Sequence, residues 1–314
     1  NMSLIFNTSA GEEHGGSFYN EEIDSSVRFQ SAHMSRTPGT AGNQAKWTFS
    51  TWFKIANPGA NHTLFSAGAS NSNRVAMFLN SGGQFSTDKG GVGTYFTSVE
   101  RFRDTSAWYN IVWHYDSANG TTALKNRMWV NGVEIALTVT RSFGNSESWN
   151  ATLLHTMGGL SNSTGTYASQ LYLADTNFVD NSLEPYTNFG ELKKGVWIPI
   201  EPNISEYGTT GFRLQYKNTG TATTEAGTTA TTNIGDDSSG KGNNWAVTGF
   251  DTYDSNMPDS PENNFCTWNP LTAGAQTTFT EGNLKLASVW SADLSGGAST
   301  FFPESGKWYW ELRV

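Results

Sequence analysis

Two or three carboxylates alternating along one strand, as Glu-x-Asp-x-Glu, would set an acid and a nucleophile on either side of a glycosidic bond. The sequence holds no such run. Glu100 and Asp104 stand four apart beside arginines, and the pairs Glu12-Glu13 and Glu21-Glu22 fall in a polar N-terminal stretch, so all read as solvated surface charge. The five histidines, His14, His33, His62, His114 and His155, are scattered without the spacing that zinc requires. Cys266, the one cysteine, has no histidine near it in sequence. It reads as a small buried apolar residue, and it excludes an intrachain disulfide. Neither a Gly-x-Ser-x-Gly turn nor a phosphate-binding loop is present. These absences point to a protein that is not an enzyme.

Two constellations remain. Asp236-Asp237-Ser238-Ser239-Gly240 offers hard oxygen ligands, with calcium as the candidate cofactor. The plainer reading is a turn in which Asp237 accepts backbone N–H groups. The second constellation is aromatic. Tyr95 lies in the Gly90–Phe96 stretch, Trp149 follows Asn145, and Tyr167 follows Asn162. Aromatic faces stack on sugar rings while short polar side chains bond hydroxyls, so these five are the candidate carbohydrate-binding residues. Packing against a sheet is the competing role for each aromatic.

Composition narrows the partners. The 314 residues carry a formal charge of −9, and only 15% are charged. No basic cluster exists to meet a phosphate backbone, which argues against nucleic acid. No run approaches the ~20 apolar residues of a helical membrane span, which argues against membrane insertion. Aromatics reach 13%, with 12 Trp among Thr, Asn and Gly, a mixture that suits pleated sheets and tight turns.

The elements that must position these residues read as short strands. They are expected at 26–29, 46–54, 62–66, 74–79, 108–115, 127–130, 133–137, 169–179, 196–200 and 211–216. Asn131-Gly132 is the pair preferred in a two-residue hairpin turn. Residues 183–192 read as a short helix or turn, and the Thr/Ala/Gly tract 217–233 as an exposed loop. No sustained helical stripe appears. The fold class is therefore all-β, a sandwich or barrel.

The residues also carry a resemblance. Trp47-Thr-Phe-Ser-Thr-Trp-Phe-Lys54, Trp108-Tyr-Asn-Ile-Val-Trp113 and Arg127-Met-Trp-Val-Asn-Gly-Val-Glu134 resemble, in order and spacing, core strands of laminin-G-like domains in the concanavalin A-like lectin/glucanase superfamily. Met34–Asn43, Thr63–Asn71, Gly195–Pro199 and Asp236–Trp245 resemble a lineage of such proteins from tailed, chiefly marine, phages. Ser305–Val314 is similar to the opening strand of a SPRY domain, which implies a truncated second β domain. The resemblance implies a jelly-roll β-sandwich with a smaller, incomplete β-rich C-terminal part. The expected organisation is an arm over 1–24, a sandwich over 25–250, a linker over 251–264 and the start of the SPRY-like part over 265–314. It also implies a place on the virion surface, as a tail fibre or adhesin that binds host cell-surface glycan. The alternative is a capsid decoration or fibre protein that packs on other virion proteins, as a homo-oligomer such as a trimer; the expected arm favours that reading.

Overall fold

The computed structural model describes residues 2–3, 18–19, 23–161, 168–225, 232–274, 276–288, 296–309 and 311–312. Strands are numbered in chain order. A seven-stranded antiparallel sheet contains β2 (Val27–Gln30), β4 (Lys46–Ile55), β9 (Tyr109–Asp116), β10 (Asn126–Val130), β11 (Val133–Ile135), β14 (Gln170–Asp180) and β17 (Phe212–Leu214). Its order is β11-β10-β9-β4-β14-β17, with β2 also on β14. An eight-stranded sheet contains β3 (His33–Arg36), β5 (His62–Ala67), β6 (Val75–Leu79), β7 (Phe85–Lys89), β8 (Gly93–Ser98), β12 (Leu137–Val139), β13 (His155–Met157) and β18 (Ala246–Thr248). Its order is β12-β8-β7-β6-β5-β13-β3-β18. The two sheets face each other across one apolar core, a jelly-roll sandwich of the concanavalin/laminin-G kind.

Side-chain alternation fills that core. Trp47, Phe49, Phe53 and Ile55 of β4 point inward, the first three opposite Tyr115, Trp113 and Tyr109 of β9 in register. Trp47 stacks on Tyr115 at 4.7 Å and meets Trp113 edge-on at 4.6 Å. A bulge in β14 keeps both halves of that strand useful. Leu171 and Leu173 face the core before it, Phe178 after it, and Asp175 within it has φ +43°. One extra residue reverses the facing of every later side chain, so the inward set passes from odd to even positions. The Asn131-Gly132 turn forms as expected, with φ +48° and +75°. Glycine is required there twice over, because a Cβ on Gly132 would stand 2.5 Å from the Trp197 ring.

The outer face of the seven-stranded sheet is covered too. Trp52, Trp108, Tyr172 and Ala174 pack with Ile23 and Met257, while Val112, Trp129 and Val179 pack with Phe189 and Tyr207. Hence β4 is buried on both faces although its sequence alternates. Part of the cover is a hairpin of β15 (Gly190–Lys193) and β16 (Val196–Pro199). In the 183–192 stretch only Tyr186–Asn188 make a 3-10 turn. The rest of the cover is a strap, residues 251–268, held by buried carboxylates; its first part, 251–264, is the stretch expected as a linker. Asp254 takes Arg28 at 2.7 Å and Asp259 takes Lys54 at 2.9 Å. Beyond the strap, β19 (Thr277–Thr280) and β20 (Lys285–Ser288) form a hairpin. Its turn docks on the sandwich: the Tyr172 hydroxyl donates to Gly282 O at 2.8 Å and Asn283 Nδ2 donates to Ala56 O at 2.6 Å. The expected N-terminal arm is paired at β1 (Met2–Ser3) with β21 (Glu311–Leu312).

Candidate functional site

The described residues of the β17–β18 connection, 215–225 and 232–245, lie between the end strand of one sheet and the end strand of the other. Its two ends are anchored in the core. Tyr216 is buried and its hydroxyl donates to Thr176 Oγ1 at 2.6 Å, while Trp245 meets Phe212 edge-on at 5.0 Å. Between these anchors Asp237 organises a turn. Its Oδ1 accepts the N–H groups of Arg213 and Ser239, each at 2.9 Å. Its Oδ2 accepts Ser239 Oγ at 2.9 Å and Asn243 N at 2.8 Å. A cleft of about 370 Å³ opens against this turn, lined by Gln215, Lys217, Asn218, Asp236, Ser238, Lys241 and Asn244 among others. A smaller cleft of about 260 Å³ lies across Ser238 and Lys241, against Glu201, Glu206 and Arg213.

Asp236 stands in the wall of the larger cleft. Its Oδ2 accepts Asn218 Nδ2 at 2.6 Å and Asn233 N at 3.1 Å, whereas its buried Oδ1 has no hydrogen-bond partner. Burial raises the Asp236 pKa against the lowering effect of those two bonds. Lys217 reaches Asp24 at 3.2 Å and Lys241 pairs with Glu206, so both ammonium groups are held at the rim. The lining therefore presents amides, a hydroxyl, a carboxylate and ammoniums, the groups that exchange hydrogen bonds with a polyhydroxy ligand.

Two of the three expected aromatic sites, Tyr95 and Trp149, are corrected by this structure. Tyr95 lies within β8 rather than in a loop, and its ring stacks on Phe143 at 4.0 Å. Trp149 is fully buried, stacked on Phe65 at 5.4 Å and edge-on to Trp47 and Trp113. Its Asn-rich flanks suggested a surface loop, but the loop folds inward and the indole becomes core. Neither ring offers a free face. Asn145 is exposed, two positions beyond the Phe143 that stacks on Tyr95, while Asn162 and Tyr167 lie outside the described residues. The calcium reading is corrected as well. Calcium takes six to eight oxygens, but four donors already occupy the Asp237 carboxylate. Among the described residues no group of three or more His, Cys, Asp or Glu could hold a metal ion. The pair does not fit the ion. Gln215, Lys217, Asn218 and Asn244 were missed because separate polar residues either side of a Thr tract form no motif. Asp236 alone, through its place in the Asp-Asp-Ser-Ser-Gly run, pointed to the cleft.

Residues 29–185, from β2 through β14 to the 3-10 turn, match the laminin G family model described as the concanavalin A-like lectin/glucanases superfamily. The chain belongs to that family. The matched residues end before the β17–β18 connection, so the cleft lies outside them. No curated protein matches the chain. Among solved structures, a heptameric pentraxin from Limulus polyphemus is 16% identical, over 53% of this chain and 81% of its own, with a TM-score of 0.40. A Bacteroides ovatus protein is 14% identical over 73% of this chain and 59% of its own, with a TM-score of 0.46. The CBM40 of a Ruminococcus gnavus sialidase, bound to α2,3-sialyllactose, is 13% identical over 49% and 91%, with a TM-score of 0.35.

Proposed function

We propose that this sandwich is a non-catalytic carbohydrate-binding module and that the cleft beside the Asp236–Asn244 turn is its binding site. The lining carries the reading. A sugar needs several fixed donors and acceptors converging on one concave surface, and Gln215, Asn218, Asp236, Ser238 and the two lysines supply them. Membership of a lectin-containing superfamily supports the same ligand class, and no paired carboxylates on one strand support hydrolysis. The resemblance of Met34–Asn43, Thr63–Asn71 and Asp236–Trp245 to tailed-phage proteins supports a finer reading. In it the module sits on a virion surface, beside other virion proteins and in an oligomer such as a trimer, and engages host-surface glycan.

A glycan array probed with the purified chain tests the reading. Saturable binding is expected, unchanged by a chelator. Gln215→Ala and Asn218→Ala are each expected to weaken it about fivefold, since a lost hydrogen bond costs about 1 kcal/mol. A folded chain that binds no glycan, or variants that bind as the wild type does, would contradict it.

A further inference from the structure

Buried ion pairs lie on the seven-stranded sheet, and two of them tie the strap to it. Two use arginine: Arg28 with Asp254 and Arg213 with Asp175, each at 2.7 Å. The deepest uses lysine. The Lys54 side chain on β4 is 1% exposed and that of its partner Asp259 is 2% exposed. A guanidinium stays charged and inert, whereas a desolvated ammonium can pass its proton to a neighbour and become a nucleophilic amine. Lys54 Nζ touches Asp259 Oδ2 at 2.9 Å, Asn264 Oδ1 at 2.8 Å and Phe265 O at 2.7 Å.

We propose that Lys54 and Asn264 are joined by an intramolecular isopeptide bond, with Asp259 carrying the protons. The Asn264 amide is held at both ends. Its Oδ1 faces Lys54, and its Nδ2 donates to Ser106 O at 2.6 Å. The electrophilic Cγ is thus one bond beyond the atom that Nζ touches, and the leaving nitrogen is turned away from the lysine. Asp259 is aimed by two donors on Oδ1, Trp108 Nε1 at 3.0 Å and Phe265 N at 3.1 Å, which leaves Oδ2 toward Nζ. Trp108 also joins this site to the apolar cluster of Ile23, Trp52 and Tyr172.

The step balances without a co-reactant. A proton moves from the Lys54 ammonium to Asp259, converting two buried charges into two neutral groups. The amine attacks Asn264 Cγ, the Nζ–Cγ bond forms, and the Cγ–Nδ2 bond breaks. One further amine proton and the proton on Asp259 go to the departing nitrogen. Ammonium leaves and Asp259 is again a carboxylate. The product ties the middle of the first sheet to the strap covalently.

Intact-mass spectrometry of the folded chain tests this. The mass is expected to fall short of the sequence mass by one ammonia, and trypsin is expected to leave Lys54 uncut, in a branched peptide with Asn264. Lys54→Arg keeps the charge but cannot form the bond, so it is expected to show the full sequence mass. Asp259→Asn is expected to do the same with both joined residues intact, a result that ion pairing alone does not predict. A folded wild-type chain of full sequence mass, cut by trypsin after Lys54 once unfolded, would overturn the proposal whatever the variants do.

Discussion

Individual side chains decide how this sandwich responds to acid. His155 is buried and neutral: Nε2 accepts Asn150 N–H at 3.0 Å, and Nδ1–H donates to Leu153 O at 2.8 Å. Burial pushes its pKa from 6.5 down to about 4. His62 is shifted in the same direction by the same cause. The unfolded chain therefore takes up a proton first as pH falls. The stability that His155 contributes is complete above its unfolded pKa of 6.5 and is lost between there and about 4. The full loss is about 3 kcal/mol. Urea unfolding near neutral pH and again near the lower limit is expected to show it, and His155→Gln is expected to reduce that acid sensitivity. Equal acid sensitivity in the two proteins would refute the assignment. Trp149 acts by packing. Trp149→Ala is expected to cost about 3–5 kcal/mol of stability, so it would report on folding rather than on glycan contact.

At the scale of elements, what was legible followed local pattern. The paired strands β9 and β10 and the Asn131-Gly132 turn declare themselves through alternation and a pair of residues that tolerates positive φ. Gly132→Ala is expected to cost at least about 1 kcal/mol by differential scanning calorimetry, from backbone strain and the Trp197 contact. β7 and β8 were not legible as strands. They give the apolar core only Phe85, Tyr95 and Phe96, and the rest of the two strands is Ser, Thr, Asp, Lys and Gly. The strap was not legible either, because Asp259 meets its lysine 205 positions away and no local pattern marks so distant a partner. Asp254→Ala would leave Arg28 with only the exposed Glu281 carboxylate beside it. It is expected to destabilise the chain by about 3 kcal/mol, measured by urea unfolding.

For the whole molecule, the superfamily sandwich supplies the frame, and the later part of the chain supplies both the cover and the cleft. Residues after 185 cover the outer face of the first sheet and build the polar concavity. The sandwich was legible because its core repeats a simple alternation. The cleft was not, because its lining converges only after the β17–β18 connection has crossed from sheet to sheet. The most direct measurement is an amide-resolved NMR titration of the folded chain with a glycan that it binds. Shifts concentrated at 215–218 and 233–244 are expected. Shifts concentrated instead around Tyr95 and Asn145, with the 233–244 turn unmoved, would contradict that expectation.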